Sequence, residues 1–316
     1  MSTRRLALCR SAAIIGAAST GLLLPQFARA QSNKVRVGLM LPYTGTFSQL
    51  GVAIENGFRM AIDEKGGKLG GRDIDWFKVD DESEPPKGVE NANKLVQRDK
   101  VDVLVGTVHS GVQMGIQRVA RDSGVLSIIP NAGVHAATRA LCAPNVFRTS
   151  FSNSQPTRAL GKVMMDKGHK KTVWITWKYA AGDEAFEGFK EGYTAAGGTI
   201  VKELGLPFPN VEFQALLTEI AAIKPDAVAC FFAGGGAAKF MRDYAAAGLK
   251  DKIPLYGSGF LTEGVLDAAG AAADGVITTL HYSDSLDTPR NKAFRLEYAK
   301  RFKQQPDVYE IGRAHV

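Results

Sequence analysis

Cysteine is scarce in this chain and histidine is scattered. The 316 residues contain three cysteines and five histidines, and only Cys142 and Cys230 lie beyond the first thirty residues. These two cysteines are far apart, so we expect two buried or half-buried thiols and no disulfide. The histidines lack the spacing of metal ligands, and neither an HExxH nor a GxSxG motif is present. We therefore expect no metal, no cofactor and no catalytic residue.

Long apolar runs are also lacking. The longest, Ala12 to Leu24, is interrupted and falls short of the ~20 residues that span a bilayer. It follows Arg4 and Arg5 and precedes Ala28-Arg-Ala30, an order typical of a secretory signal peptide. We predict a signal peptide over residues 1–30, cleaved near Ala30, and a periplasmic mature protein. Sec export and twin-arginine export both remain open.

A strong excess of one charge is missing from the mature chain. The formal charge of +7 includes four arginines of the signal segment, so that removing them leaves +3. The remaining basic residues alternate with acidic ones along predicted helices, which is typical of solvated faces. We therefore expect no nucleic-acid partner.

Short β-rich runs alternate with longer helical segments, which predicts parallel sheets with crossover helices. In the first half the predicted strands are Val35–Leu41, Ile74–Asp80, Val101–Val105 and Leu126–Ile129, and the predicted helices are Gly51–Glu64, Lys87–Asp99 and Val112–Asp122. In the second half the predicted strands are Thr172–Thr176, Thr199–Leu204, Ala227–Phe232, Pro254–Gly257 and Gly275–Thr278. The predicted helices there are Asp183–Ala195, Val211–Ile223, Ala237–Ala246, Thr262–Ala269 and Pro289–Phe302.

Two such series fit two α/β lobes better than one sheet, because single cores stop growing near ~250 residues. We predict an N-terminal lobe of residues 31–150 and 285–309 and a C-terminal lobe of residues 151–284. The expected hinge crossings are Phe147–Asn153 and His281–Ser285. Glu310 to Val316 reads like a translated sequencing adapter, so we predict a non-native tail over 310–316 and a natural chain that continues beyond it.

Several motifs together resemble a known family. They are the strand and loop Val35–Gly51, the turn Gly66–Gly71, and the strand ends Val105–Ser110 and Ile129–Gly133. With them the chain resembles the type I periplasmic solute-binding proteins of the branched-chain amino acid ABC transporter family, from about Val35 to Tyr309. The resemblance implies two Rossmann-like lobes joined by a multi-strand hinge, which close on a ligand.

Ser110 is the predicted carboxylate anchor. It follows a strand at a helix start, where backbone N–H groups and the helix dipole favour an anion. The resemblance supports this role, because Ser110 matches the serine that holds the ligand carboxylate in the amino-acid receptors. The alternative is that Ser110 only caps its own helix.

The next strand end supplies Asn131, Ala132 and Gly133 as candidate ligand contacts, since small residues let backbone approach a ligand closely. In the amino-acid receptors the position of Gly133 is usually a threonine that binds the carboxylate. Asn131 could replace that hydroxyl, or it could only stabilise the turn.

The second lobe contributes Tyr179, at the position where the resemblance implies a tyrosine that closes over the ligand. The alternative is an exposed loop tyrosine. Phe47, His109, Tyr179 and Phe232 are the predicted walls for a ring, although Phe232 could equally be a core residue. Gly257 is the predicted contact from the strand end Leu255-Tyr256-Gly257.

The position of Gly257 to Gly259 also suggests the kind of ligand. Amino-acid receptors of the family carry an acidic residue just after this strand, and a buried ammonium without one is costly. Glu263 could compensate, or it could be an ordinary first-turn helix acid. The sequence therefore favours an aromatic or short-chain carboxylate without an α-amine, with a branched-chain or other amino acid, or an amide, as the alternative.

The resemblance implies the substrate-binding component of an ABC importer, and no enzyme. The expected partners are a small-molecule carboxylate and an ABC permease of the inner membrane, and we expect a monomer. A sensory ligand-binding protein is the rival from another class, and an exported α/β hydrolase is a weaker one. Gly234 to Lys239 lacks the Gly-Lys-Ser/Thr ending of a phosphate-binding loop.

Overall fold

The structure is a computed structural model that describes residues 34–310. The predicted signal peptide over residues 1–30 and residues 311–316 of the predicted tail lie outside the described residues. Within the described part, two five-stranded sheets form, and all of their strand pairings are parallel. Helices connect the strands, so both lobes have the predicted α/β architecture.

The first sheet has the order β2-β1-β3-β4-β5. Its strands are β1 (Lys34–Leu41), β2 (Asp73–Asp80), β3 (Val103–Val105), β4 (Leu126–Ile129) and β5 (Val146–Arg148). Its connecting helices are α1 (Ser48–Asp63), α2 (Pro85–Asn93, continued by the π-helical segment Lys94–Arg98) and α3 (Ser110–Ser123), and a 3₁₀ turn spans His135–Thr138. The sequence missed β5, whose residues Phe147 and Arg148 were assigned to the expected hinge crossing.

The second sheet has the order β10-β9-β8-β6-β7. Its strands are β6 (Lys171–Lys178), β7 (Thr199–Pro207), β8 (Ala227–Phe231), β9 (Leu255–Ser258) and β10 (Ile277–Thr279). The helices are α4 (Ser154–Asp166), α5 (Ala180–Ala195), α6 (Gln214–Ile223), α7 (Gly234–Ala246), α8 (Leu266–Ala269) and α9 (Pro289–Phe302), with 3₁₀ turns at Gly259–Leu261 and Gly270–Ala273.

In this half one helical prediction was wrong and one helix was missed. The helix expected over Thr262–Ala269 is reduced to the single turn α8, because Gly264 adopts a φ of +71° that an α-helix cannot include. Helix α4 was not predicted at all. It contains Pro156 in its first turn, where the missing N–H costs nothing, and it follows a polar segment that reads as a loop.

The inner strands of both sheets are buried on both faces, as crossover helices require. Trp174, Ile175 and Trp177 of β6 have no exposed surface, and neither do Val37 and Leu39 of β1. Burying large apolar side chains in this way is the main favourable contribution to folding, roughly 1.5–3 kcal/mol for each.

The chain passes between the lobes after β5 and again before α9. Helix α9 packs on α1, where Tyr298 contacts Met60 and its hydroxyl accepts a hydrogen bond from Asn56 Nδ2 at 3.2 Å. Arg301 also forms an ion pair with Asp63 at 2.9 Å. The last described helix therefore lies against the first lobe, while the domain boundaries themselves stay a prediction.

The two described cysteines differ in exposure. Cys142 and Cys230 are both free, but Cys142 is exposed, so the expectation that both thiols are buried or half-buried was wrong for Cys142. It lies in the irregular segment after the 3₁₀ turn His135–Thr138, not in a strand. Within residues 34–310, no helix has the length and apolar character that crossing a bilayer requires.

Candidate functional site

The candidate site is a small cavity at the carboxyl ends of both sheets. Loops after β1, β3 and β4 contribute from the first lobe, and the ends of β6, β8 and β9 contribute from the second. Its polar lining residues are Ser110, Asn131 and Asn153. Its aromatic lining residues are Phe47, Phe151, Tyr179, Phe231, Phe260 and Tyr309. Open α/β sheets hold their ligands at this edge.

The lobes touch each other around this cavity. The Gly235 N–H at the start of α7 donates to the Thr46 carbonyl across the lobes at 3.1 Å. The Phe47 ring of the first lobe lies 5.2 Å from Phe208 and 6.2 Å from Trp177, both of the second lobe. The cavity has a volume of about 30 Å³, enough for a water molecule or two.

Ser110 is buried at the first position of α3 and faces the cavity with its side chain. Its Oγ accepts a hydrogen bond from Asn153 Nδ2 at 3.2 Å. Ser110 does not cap its own helix. The cap is His109, whose Nδ1 accepts from the N–H groups of Gly111 and Val112 at 3.1 and 3.3 Å.

His109 therefore has a structural task that the sequence did not reveal. Burial lowers the pKa of His109 to about 4, so its imidazole is neutral near pH 7 and Nδ1 is free to accept. The ring also stacks on Tyr179 at 5.0 Å and lies 4.8 Å from Phe208. His109 was predicted to be a ligand wall, but it lies behind the residues that line the cavity.

Tyr179 is half-buried at the start of α5 and lines the cavity. Its ring stacks on His109 and, at 5.1 Å, on Phe208. Burial raises the pKa of its phenol, so the hydroxyl stays protonated at neutral pH. The structure thus holds the ring in an interlobe aromatic stack, and the alternative of an exposed loop tyrosine does not apply.

The space next to Gly133 is filled by Asn153. A Cβ on Gly133 would lie 2.3 Å from Asn153 Oδ1 and 2.8 Å from Phe151 Cε2, so no side chain fits there without displacement. The Asn153 N–H also donates to the Gly133 carbonyl at 2.9 Å. The amide of Asn153 therefore occupies the place that the resemblance assigned to a threonine side chain.

Asn153 directly precedes α4 and is also held by Glu184 of the neighbouring helix α5 in the second lobe. Its Nδ2 donates to Glu184 Oε2 at 2.7 Å, and the His135 N–H of the first lobe donates to both Glu184 oxygens at 2.9 and 3.0 Å. Burial raises the pKa of Glu184, while these donors act to lower it. Glu184 does not line the cavity itself and stands one hydrogen bond behind it.

The loop after β4 lies at the cavity, but only some of its predicted ligand contacts line it. Asn131 lines it, and its carbonyl accepts from Ser150 Oγ at 3.2 Å. Ala132 was predicted as a ligand contact, yet it is fully buried outside the lining. Its N–H donates to the Thr107 carbonyl at 2.9 Å, which turns its side chain into the core of the first lobe.

Phe232 and Gly257 were also predicted as ligand contacts, and the structure places neither at the cavity. Phe232 is fully buried against Trp177, Phe213 and Phe240. Its neighbour Phe231 lines the cavity, since successive side chains at a strand end point to opposite faces. Gly257 lies within β9, where an added Cβ would meet Leu261 Cδ2 at 2.7 Å.

The sequence did not single out four groups of polar and aromatic site residues: Phe151 and Asn153 from the first hinge crossing, Phe231 and Phe260 from the second lobe, Tyr309 after α9, and Glu184 from α5. A signal existed for the first group, because a segment that passes between two lobes must run along the cleft. The polar run Thr149 to Ser154 was recognised as a hinge but not as part of the site.

None of the described residues that line the cavity is acidic or basic. Glu263, considered as a partner for an ammonium, is half-buried, does not line the cavity, and accepts a hydrogen bond from the Val308 N–H at 3.0 Å. Burial raises its pKa. Across residues 34–310, no three His, Cys, Asp or Glu side chains gather as metal ligands would.

A larger groove of about 920 Å³ lies between α2 and α3 and is lined by residues such as Pro85, Met114 and Val119. It belongs to the first lobe alone. The strand ends do not reach it. We assign the ligand site to the smaller cavity, where groups from both lobes converge.

Two parallel α/β lobes whose strand ends meet around a cavity define a bilobal solute-binding protein. The model of the periplasmic binding protein family matches residues 34–313. The chain belongs to this family, and within it to the type I binding proteins of the branched-chain amino acid ABC transporters.

Solved and curated relatives agree with this assignment. The solute-binding protein of an ABC transporter from R. palustris, solved in complex with benzoate, is 52% identical, with a TM-score of 0.86 over 89% of this chain and 78% of that one. A second, from Rhodopseudomonas palustris BisB5 in complex with 3,4-dihydroxybenzoic acid, is 32% identical, with a TM-score of 0.84 over 90% and 78%. "Leu/Ile/Val-binding protein homolog 6" of Brucella abortus is 30% identical over 275 residues, 86% of this chain and 70% of the relative.

Proposed function

We propose that this protein is exported to the periplasm, binds an aromatic carboxylate of the benzoate type between its lobes, and presents it to an ABC permease. The observation that carries the proposal is the division of the cavity lining. Among the described lining residues, polar side-chain groups come only from Ser110, Asn131, Asn153 and the phenols of Tyr179 and Tyr309, and the remaining side chains are apolar. The 52% identical relative bound to benzoate supports the same ligand class.

The carboxylate end of the site is the start of α3. A helix N-terminus carries partial positive charge that favours an anion. His109 already occupies the N–H groups of Gly111 and Val112. The Ser110 hydroxyl is then the donor at this helix start that faces the cavity, and it anchors one carboxylate oxygen.

The ring end of the site is built from Phe151, Phe231 and Phe260. The Phe260 ring lies 4.7 Å from Phe151 and 6.2 Å from Phe231. Aromatic pairs at such separations contribute about 0.5–1.5 kcal/mol beyond the burial of their area. A ligand ring that packs into this cluster is stabilised both by the burial of its apolar area and by its aromatic contacts.

An α-amino acid fits the same lining poorly. Its ammonium would need a carboxylate partner, and none of the described lining residues is acidic. Burying an ammonium without a counter-charge costs several kcal/mol. A benzoate-like acid carries no such group, so it is favoured over leucine or isoleucine.

Binding and release require the lobes to move. A cavity of about 30 Å³ is far smaller than the roughly 300 Å³ of typical ligand sites. We infer that the lobes separate about the crossings near 147–153 and 281–285, admit the ligand, and close over it. Closure excludes water and strengthens the polar contacts to the anion. Nothing in this cycle alters the ligand, so the proposed role is that of a carrier and not an enzyme.

Calorimetric titration of the mature protein tests the proposal. Benzoate is expected to bind with a 1:1 stoichiometry and leucine to bind at least tenfold more weakly. The Ser110→Ala variant should lose roughly 1.5–3 kcal/mol of benzoate affinity, the scale of a hydrogen bond to a charged group. Ser123→Ala, at the far end of the same helix, is the matched control and should bind like the wild type.

The reverse order of affinities, leucine above benzoate, would contradict the proposed ligand. Transport is separated from sensing by measuring benzoate uptake in cells that lack the gene. Loss of uptake is expected for a transport component, and unchanged uptake would contradict it.

A further inference from the structure

A chain of hydrogen bonds connects the second lobe to the proposed carboxylate anchor. Glu184 of α5 accepts from Asn153 Nδ2 at 2.7 Å, and the same nitrogen donates to Ser110 Oγ at 3.2 Å. Asn153 and Ser110 are 3% and 1% exposed, so water competes little for these bonds. The chain therefore runs from a carboxylate of one lobe to the hydroxyl that faces the cavity in the other.

The donors and acceptors in this chain leave one arrangement. A carboxylate only accepts hydrogen bonds, so the NH₂ of Asn153 must face Glu184 and its Oδ1 must face Gly133. The two amide hydrogens are then shared between Glu184 and Ser110. Because Ser110 Oγ accepts from Asn153, its own proton points elsewhere, and the cavity that Ser110 lines is where an anion would receive it.

Asn153 directly precedes α4, which packs on α5, so Glu184 and Asn153 belong to the same lobe, and Glu184 meets the first lobe only while the lobes touch. Its two oxygens also accept from the His135 N–H, a backbone group of the first lobe. Separation of the lobes breaks these bonds and takes Asn153 away from Ser110, while Glu184 keeps the Asn153 amide oriented within the second lobe. The His135 imidazole lies near the same carboxylate, with Nδ1 at 3.7 Å from Oε1.

We propose that Glu184 is a positioning residue that makes carboxylate capture depend on closure: it orients Asn153, which in turn aims the Ser110 hydroxyl at the ligand only when the lobes are together. The inference rests on the proposed function, because it assigns the second lobe a task in the same site. It also assigns Asn153 the place left by the missing threonine at Gly133.

Rapid-mixing kinetics with benzoate test the inference. Glu184→Gln keeps the size of the side chain but turns one acceptor into a donor that faces N–H groups. It is expected to raise the benzoate dissociation rate about tenfold and to leave the association rate within twofold, since the hydrogen bond from Asn153 to Ser110 forms only on closure. Asp183→Asn is the matched control, because Asp183 is exposed in the same helical turn and the charge change is identical. Its two rates should equal those of the wild type.

The Ser110→Ala background separates positioning from a general effect on closure. If Glu184 acts through Asn153 and Ser110, adding Glu184→Gln to Ser110→Ala should change the dissociation rate by less than twofold. An unchanged dissociation rate in the single Glu184→Gln variant, or a full tenfold increase in both backgrounds, would overturn the inference while the proposed function stands. A wild type that does not bind benzoate would overturn the proposed function and the inference with it.

Discussion

Replacing Gly133 by alanine is the sharpest test of how the site is packed. The new Cβ would lie 2.3 Å from Asn153 Oδ1, 2.9 Å from Asn153 Cγ and 2.8 Å from Phe151 Cε2. Contacts this short do not persist, so the amide of Asn153 and the Phe151 ring must move. Overpacking of this kind typically costs about 1–3 kcal/mol of stability.

The movement also has a consequence for binding. Displaced, Asn153 no longer donates to Ser110, and the loss of one such hydrogen bond is worth about 0.5–1.5 kcal/mol. We therefore expect Gly133→Ala to weaken benzoate binding by roughly 1 kcal/mol, about fivefold in Kd. Calorimetry gives the affinity, and urea unfolding gives the stability.

Gly235→Ala is the matched control for this change. A Cβ on Gly235 has only the Thr46 carbonyl oxygen nearby, at 3.9 Å, an ordinary contact. Because Gly235 lies in α7, alanine there is expected to preserve or slightly raise stability. A Gly133→Ala variant as stable and as tight-binding as Gly235→Ala would refute the packing described around Asn153.

Three further predictions concern stability. Phe232→Ala should destabilise the fold by roughly 3–5 kcal/mol, measured by chemical denaturation. The folded variant should keep its benzoate affinity within threefold by calorimetry. A loss of affinity without a loss of stability would show that Phe232 contacts the ligand. Burial lowers the pKa of His109 in the folded protein to about 4, below its ordinary 6.5. Its contribution to folding stability is therefore complete above pH 6.5 and is lost as pH falls towards 4, by roughly 3 kcal/mol. His109→Asn, which keeps a capping side chain, should flatten this loss in urea titrations at several pH values, and an unchanged pH profile would contradict the burial of a neutral His109. Burial raises the pKa of Asp81 to about 6. Its contribution to folding stability is therefore complete below pH 3.8 and is lost as pH rises through 6, again by roughly 3 kcal/mol. Asp81→Asn should remove that loss, and equal stability of variant and wild type at pH 7.5 would contradict it.

Much of the fold was predictable because parallel strands and amphipathic helices leave strong local patterns. Helix α9 was predicted over Pro289–Phe302 and begins and ends at those residues. Strand β4 was likewise predicted over Leu126–Ile129 and has those bounds. The missed α4 and the shortened α8 lie where Pro156 and Gly264 act on backbone conformation, and local pattern alone does not decide their effect.

The site was less predictable, because it depends on contacts between distant parts of the chain. The pairing of Ser110 with Asn153 joins residues 43 positions apart, and the pairing of Asn153 with Glu184 joins residues 31 positions apart. No periodicity signals either of them. The choice between Phe231 and Phe232 depended on a single step along a strand end, which exchanges the cavity face for the core face. Roles carried by residue type and position, such as Ser110 at a helix start, were accessible from the sequence.

A crystal structure of the mature protein with benzoate is the most direct test of the central claim. We expect the ligand to lie between the lobes, with one carboxylate oxygen within about 3 Å of Ser110 Oγ. Its ring should lie among Phe151, Phe231 and Phe260. Benzoate bound in the groove between α2 and α3, or bound with its ring against Ser110 and its carboxylate among the phenylalanines, would contradict the account.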